Sequence, residues 1–148
     1  MSLMERINED LKQAMKNKDK LRLSVIRMIR SAIKYAEIEK KTTALSDEQI
    51  IDVLSREMKQ RRESLQEFEN AGRQDLVDNV KAEIEVIQEY LPKQLTEEEL
   101  KVLIQEIIDQ VGAKTKADMG KVMGVLMPKV KGRADGKLVN QLVQQHLS

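Results

Sequence analysis

Apolar positions recur at spacings of three and four along nearly the whole 148-residue chain, which is the period of an amphipathic α-helix. Ser2 with Glu5 three residues on forms a capping-box pattern, so a first helix is expected from there to about Asn17. A second is expected from near Asp19 to about Lys40, with Val25, Ile26, Ile29, Ile33 and Ala36 on its apolar face. The segment KKTTAL interrupts the pattern. Ser46 and Gln49 form another capping box and open a third helix to about Asn70. Its seam reads Ile51, Leu54, Met58, Arg61, Leu65 and Phe68, with one arginine among apolar residues. Gly72 is placed to end that helix in the left-handed conformation. A fourth stripe follows as Val77, Val80, Ile84, Ile87 and Leu91, stopped by Pro92. Two such stripes across a short turn predict a long antiparallel helical hairpin.

After the hinge LPKQLT the elements shorten. Thr96 with Glu99 starts a fifth helix, whose face is Leu100, Leu103, Ile104, Ile107, Ile108 and Val111, closed by Gly112. Two more are expected at about 115–127, broken by Pro128, and about 135–147. The pattern therefore predicts an all-α protein with two domains, a four-helix part over 1–95 and a three-helix part over 96–148. Met119, Met123 and Met127, one every fourth residue, are expected as core filler.

Composition supports helices over sheets. Apolar residues make up 41% and aromatics only 2%, too few β-branched and aromatic alternations for a sandwich. No run approaches the roughly 20 apolar residues that span a membrane. The absence of cysteine and the early acids in MSLMERINEDLK point to the cytoplasm, with no secretory signal expected. Net charge is only +1, but it is unevenly spread. Residues 12–41 carry ten Lys/Arg against three Asp/Glu, and residues 110–148 carry seven against two.

Catalytic chemistry is scarce. The single histidine, His146, has no local acid to orient it and is expected at the rim. Glu97, Glu98 and Glu99 suit the first turn of a helix better than a metal. No strand leads into GKVMG, so it is not a phosphate loop. No catalytic residue, metal or cofactor is expected.

Binding is better supported. Lys20, Arg27, Lys34 and Lys41 fall seven apart on the second helix, with Arg30 one turn from two of them and Arg22 at the flank. An unmixed basic stripe points to a polyanion, against the alternative of an ordinary solvated face. Arg56, Lys59 and Arg62 form a weaker patch offset by Glu57 and Glu63, while Arg61 is expected to pair with a carboxylate.

The C-terminal stretch differs in character. Gly120 and Gly124 make a bare strip beside Lys121, suited to close approach of either a neighbouring helix or a nucleic-acid backbone. Lys129, Lys131, Arg133 and Lys137 surround Gly132 and Gly136 just before a helix N-terminus, a setting for phosphate. Asp135, as the N-cap, competes for the same amides. With so few aromatics available to stack, structured RNA fits better than single strands.

The stretches "MGKVMGVLMPKVKGRADGKLVNQLV" and "MKQRRESLQEFENAGRQDLVDNVKAEIEVIQEYLPKQL" closely resemble YqeY-like proteins. The C-terminal part more loosely resembles the tail domain of the B subunit of the glutamine-dependent aspartyl/glutamyl-tRNA amidotransferase. The matching positions here are Gly124, Met127, Lys129, the run Lys131-Gly132-Arg133-Ala134, and Val139-Asn140. Asp135-Gly136 stands where that tail commonly has Asn-Pro. The resemblance implies an accessory role in holding tRNA or another structured RNA, with Asn140 joining the contacts. It implies carbon–nitrogen ligase activity, with glutamine as donor, only within a larger complex. A helical protein-interaction adaptor, or a non-catalytic subunit of a glutamine-dependent carbon–nitrogen ligase complex, is the alternative expectation.

Overall fold

The computed structural model describes residues 1–147, and among them every regular element is helical. The helices are α1 (Leu3–Lys16), α2 (Lys20–Glu39), α3 (Asp47–Asn70), α4 (Gln74–Gln88), α5 (Glu97–Val111), α6 (Met119–Val130) and α7 (Gly136–His146). A single 3-10 turn, Lys116–Asp118, leads into α6. Chain contacts divide the protein into two compact units, Met1–Leu91 and a second that begins at Pro92.

The starts of α1, α3 and α5 are set locally. Ser2, Ser46 and Thr96 each accept from the amide three residues on, and Glu5, Gln49 and Glu99 return the bond to the cap amide. These reciprocal bonds satisfy donors that a helix leaves orphaned. Gly72 (φ 68°) and Gly112 (φ 69°) end α3 and α5 in the left-handed region. Lys18 (φ 53°) and Lys41 (φ 54°) adopt the same conformation after α1 and α2, without glycine's freedom.

In the first unit, Ile7, Ile26, Ile29, Ile33, Ile50, Leu54, Met58 and Ile87 form a fully enclosed core. α3 and α4 pack along each other, and α2 packs on both. Arg61 fills its place in the α3 seam with only 11% of its side chain exposed. Its Nη1 donates to Glu57 at 2.8 Å and its Nε to Glu83 of α4 at 3.2 Å. The sulfur of Met28 also contacts the guanidinium.

α4 ends at Gln88 rather than running to Pro92. The residue before a proline avoids the helical region, and here the chain turns early so that Tyr90 folds inward. In the second unit Leu100, Ile104, Val122, Leu126, Val139 and Val143 form a separate enclosed core. Pro128 does not break α6, which continues to Val130. Only two residues follow the proline, and the Gly124 carbonyl that loses a donor belongs to an exposed residue that solvent reaches. Met127 is exposed rather than core, unlike the half-buried Met119 and Met123. Among the described residues no helix is long and apolar enough to cross a membrane.

Candidate nucleic-acid interface

The basic stripe of α2 divides according to its surroundings. Asp19 caps the helix by accepting from the Arg22 amide at 3.1 Å. The Arg22 side chain turns to Glu89, donating from Nη1 at 2.6 Å, with Asp10 at 3.8 Å. Its hydrogen bond with Glu89 holds the guanidinium above its ordinary pKa. Arg22 is therefore committed to the fold. Lys20 is exposed at the first position of α2, and Lys41 lies beyond the helix end.

Arg27, Arg30 and Lys34 remain together. With Met4, Ser31, Ile33 and Glu37 they line a cleft of about 530 Å³ between α1 and α2. Their spacing of three and four puts all three cations on one helix face. Among the described residues none of the three side chains makes a hydrogen bond or ion pair. A desolvated wall from Met4 and Ile33 beside unpaired cations strengthens their attraction for an anion. The periodicity of the cations was legible in the sequence, whereas Met4 and Glu37 as cleft walls were not, because they lie on different helices or at the end of the stripe.

The C-terminal loop is arranged differently. Gly132 takes φ 73°, and its carbonyl accepts from the Gln94 side chain at 2.7 Å. Arg133 Nε donates to the Lys93 carbonyl at 3.1 Å, and the Arg133 carbonyl accepts from the Leu95 amide at 2.8 Å. The loop thus clamps the segment 93–95. Asp135 caps α7 by accepting from the Lys137 amide at 3.2 Å, so the helix N-terminus is already served. Asn140 accepts from Gln144 at 3.0 Å. Lys131 is exposed and has an interaction partner. Lys121, Lys129 and Lys137 are exposed.

Gly120 and Gly124 do not receive a neighbouring helix. A Cβ built at either meets nothing within 4 Å, and a Cβ at Gly136 comes 4.0 Å from the end of Met127. α6 therefore turns a nearly side-chain-free face to solvent beside Lys121. Asp118, just before it, accepts from the amides of Lys114 and Thr115, which hold its carboxyl below the ordinary carboxylate range. His146 is rim-packed, with Nδ1 donating to the Leu142 carbonyl at 2.7 Å.

The Yqey-like protein family model matches residues 4–147. The chain belongs to the YqeY-like family. Among curated proteins, this YqeY-like chain is similar to "Altered inheritance of mitochondria protein 41, mitochondrial" of Pyrenophora tritici-repentis. The two are 32% identical, over 97% of this chain and 80% of the relative. The protein of the same name in Candida glabrata is 39% identical over 71% of this chain and 59% of its own length. That of Saccharomyces cerevisiae is 32% identical over 86% and 68%. The cytoplasmic expectation is overturned by these relatives, which are named as mitochondrial proteins. Its grounds were weak in physical terms, since a cysteine-free helical chain suits any reducing compartment.

Proposed function

We propose that this YqeY-like protein is an accessory factor that binds tRNA or another structured RNA, in the manner of an amidotransferase B-subunit tail. The observation that carries this reading is the α2 cleft, where Arg27, Arg30 and Lys34 lie unpaired around one concavity. Phosphates of a folded RNA supply the missing partners, and such contacts depend on charge more than on direction. The open glycine face of α6, with Lys121 beside it, gives a second place for a nucleic-acid backbone to approach closely. Lys129 and Lys137 extend that contact. Lys20, Lys131, Gly132, Arg133 and Asn140 border these surfaces, the last three chiefly by shaping the loop and α7. In this reading the chain works as two modules divided near residue 95, with α3 and α4 forming a long antiparallel hairpin that holds α2 in place.

The test is titration of labelled tRNA with the full chain across a range of salt concentrations. Changing Arg27, Arg30 and Lys34 together to glutamine should weaken binding and flatten the slope of log affinity against log salt by roughly two to three units. An unchanged slope rejects the cleft as the RNA site.

A second reading, an adaptor docking on a larger enzyme complex, is favoured by one feature. Tyr35 and Ile38 stand 65% and 69% exposed on α2. Tyr35 borders a cleft of about 430 Å³ shared with Met28, Ala32, Ala36 and Val53. Exposed apolar side chains beside an apolar groove are a feature of partner surfaces.

A further inference from the structure

The α2 cleft contains one residue that works against phosphate. Glu37 lines it together with Arg27, Arg30 and Lys34, and a carboxylate there repels any polyanion. It follows Lys34 by three residues and Arg30 by seven, so all three share a helix face. Even so, among the described residues its side chain bonds to neither cation. The order is the weaker one for a helical pair, with the base N-terminal to the acid. Glu37 is half-buried, with Met4 and Ile33 contributing apolar wall to the same cleft. A half-desolvated carboxylate without a donor is a strong acceptor that is waiting for one.

We infer that Glu37 makes this cleft select ribose over deoxyribose, by accepting a hydrogen bond from an RNA 2′-hydroxyl whose neighbouring phosphate sits on Lys34 and Arg30. The geometry suits this. Lys34 and Glu37 are separated by a rise of about 4.5 Å along the helix. In RNA the 2′-hydroxyl is carried by the carbon next to the one that bears the 3′-phosphate ester. A phosphate held by the cations therefore brings a donor to the acid, whereas DNA at the same place brings only a C–H group. The acid then opposes DNA through charge and recovers its cost with RNA through the hydrogen bond. Discrimination at the 2′ position is the general means by which proteins tell the two polymers apart. This inference rests on the cleft being the RNA site.

The experiment compares three hairpins of one sequence, as RNA, DNA and 2′-O-methyl RNA, bound to the full chain at one fixed salt concentration. The readout is the ratio of affinities, which cancels differences in folding and net charge between variants. The wild type should prefer RNA to both other hairpins by roughly tenfold, the scale of one charge-assisted hydrogen bond. Glu37→Ala should bring the three affinities together, mainly by tightening DNA and 2′-O-methyl RNA. Arg27→Gln with Lys34→Gln should weaken all three and also narrow the ratio, because the phosphate that presents the 2′-hydroxyl to Glu37 loses Lys34. If 2′-O-methyl RNA binds the wild type as well as RNA does, or if Glu37→Ala tightens all three hairpins equally, the ribose reading is overturned while the cleft remains. If the paired cation variant leaves RNA affinity unchanged, the cleft is not the RNA site at all.

Discussion

The Tyr90 hydroxyl donates to the Asp10 carboxylate at 2.5 Å, joining residues 80 positions apart. Arg6 completes the arrangement, with its guanidinium 4.8 Å from the Tyr90 ring centre and Nη2 donating to the Glu89 carbonyl at 2.8 Å. The turn after α4 is thereby pinned to α1, while Arg22 of α2 holds the Glu89 side chain. Tyr90→Phe keeps the ring and removes the donor to a charged acceptor, which should cost about 1–2 kcal/mol in urea unfolding.

The same residue should set an alkaline limit. Burial first, and then the hydrogen bond to Asp10, raises the Tyr90 phenol well above its ordinary value. Because the folded pKa lies above the unfolded one, the stabilisation is complete below about pH 10 and is lost as pH rises toward the folded value. Stability of the wild type should fall faster above about pH 10 than that of Tyr90→Phe. Parallel falls in the two proteins would show that another group sets the limit.

Loss of Arg61 should destabilise the first unit strongly. Arg61→Ala leaves Glu57 and Glu83 facing each other without their cation, in a seam where Arg61 is only 11% exposed. The expected cost is about 3 kcal/mol, near the lower end for breaking a buried pair because both acids keep some solvent. Arg61→Met combined with Glu57→Gln and Glu83→Gln should recover most of it. A triple variant as unstable as the alanine variant would show that the arginine acts through its packing on Met28.

The contrast between these contacts explains what could be read from sequence. Capping boxes at Ser2, Ser46 and Thr96 depend on residues three apart, so the helix starts were legible, as were the glycine stops at Gly72 and Gly112. Arg61 was legible as a paired cation but not its partner Glu83, 22 residues on. Tyr90 was invisible because its role depends on a turn placed by tertiary packing. At the candidate interface, helical spacing gave Arg27, Arg30 and Lys34 a common face. The commitment of Arg133 to the Lys93 carbonyl and of Arg22 to Glu89 depended on folding. Sequence charge counts a cation identically whether it is free or already bonded.

Lys18 and Lys41 offer a stabilising test. Both hold φ near +54° with a side chain attached, a conformation costing roughly 1–2 kcal/mol for an L-residue. Glycine removes that strain but gives back about 0.5–1 kcal/mol in chain entropy. Lys18→Gly should therefore raise stability by about 0.5 kcal/mol, seen as a small rise in the urea midpoint at unchanged slope. A lowered midpoint would show that the Lys18 side chain holds the α1–α2 turn by contacts of its own.

Gly124 separates stability from binding in a single residue. It lies within α6, and a Cβ added there meets nothing within 4 Å. Alanine in place of helical glycine should stabilise by about 0.8–1.0 kcal/mol. Slower amide exchange across α5, α6 and α7 would register this gain locally, apart from the first unit. A methyl group there also lifts an approaching nucleic-acid backbone away from the helix. If the bare face meets RNA, Gly124→Ala should bind tRNA several-fold more weakly at fixed salt although its fold is tighter. The two effects then have opposite signs, which no general destabilisation can imitate. A more stable variant with unaltered tRNA affinity would remove α6 from the footprint and leave the Arg27, Arg30 and Lys34 cleft as the proposed RNA site.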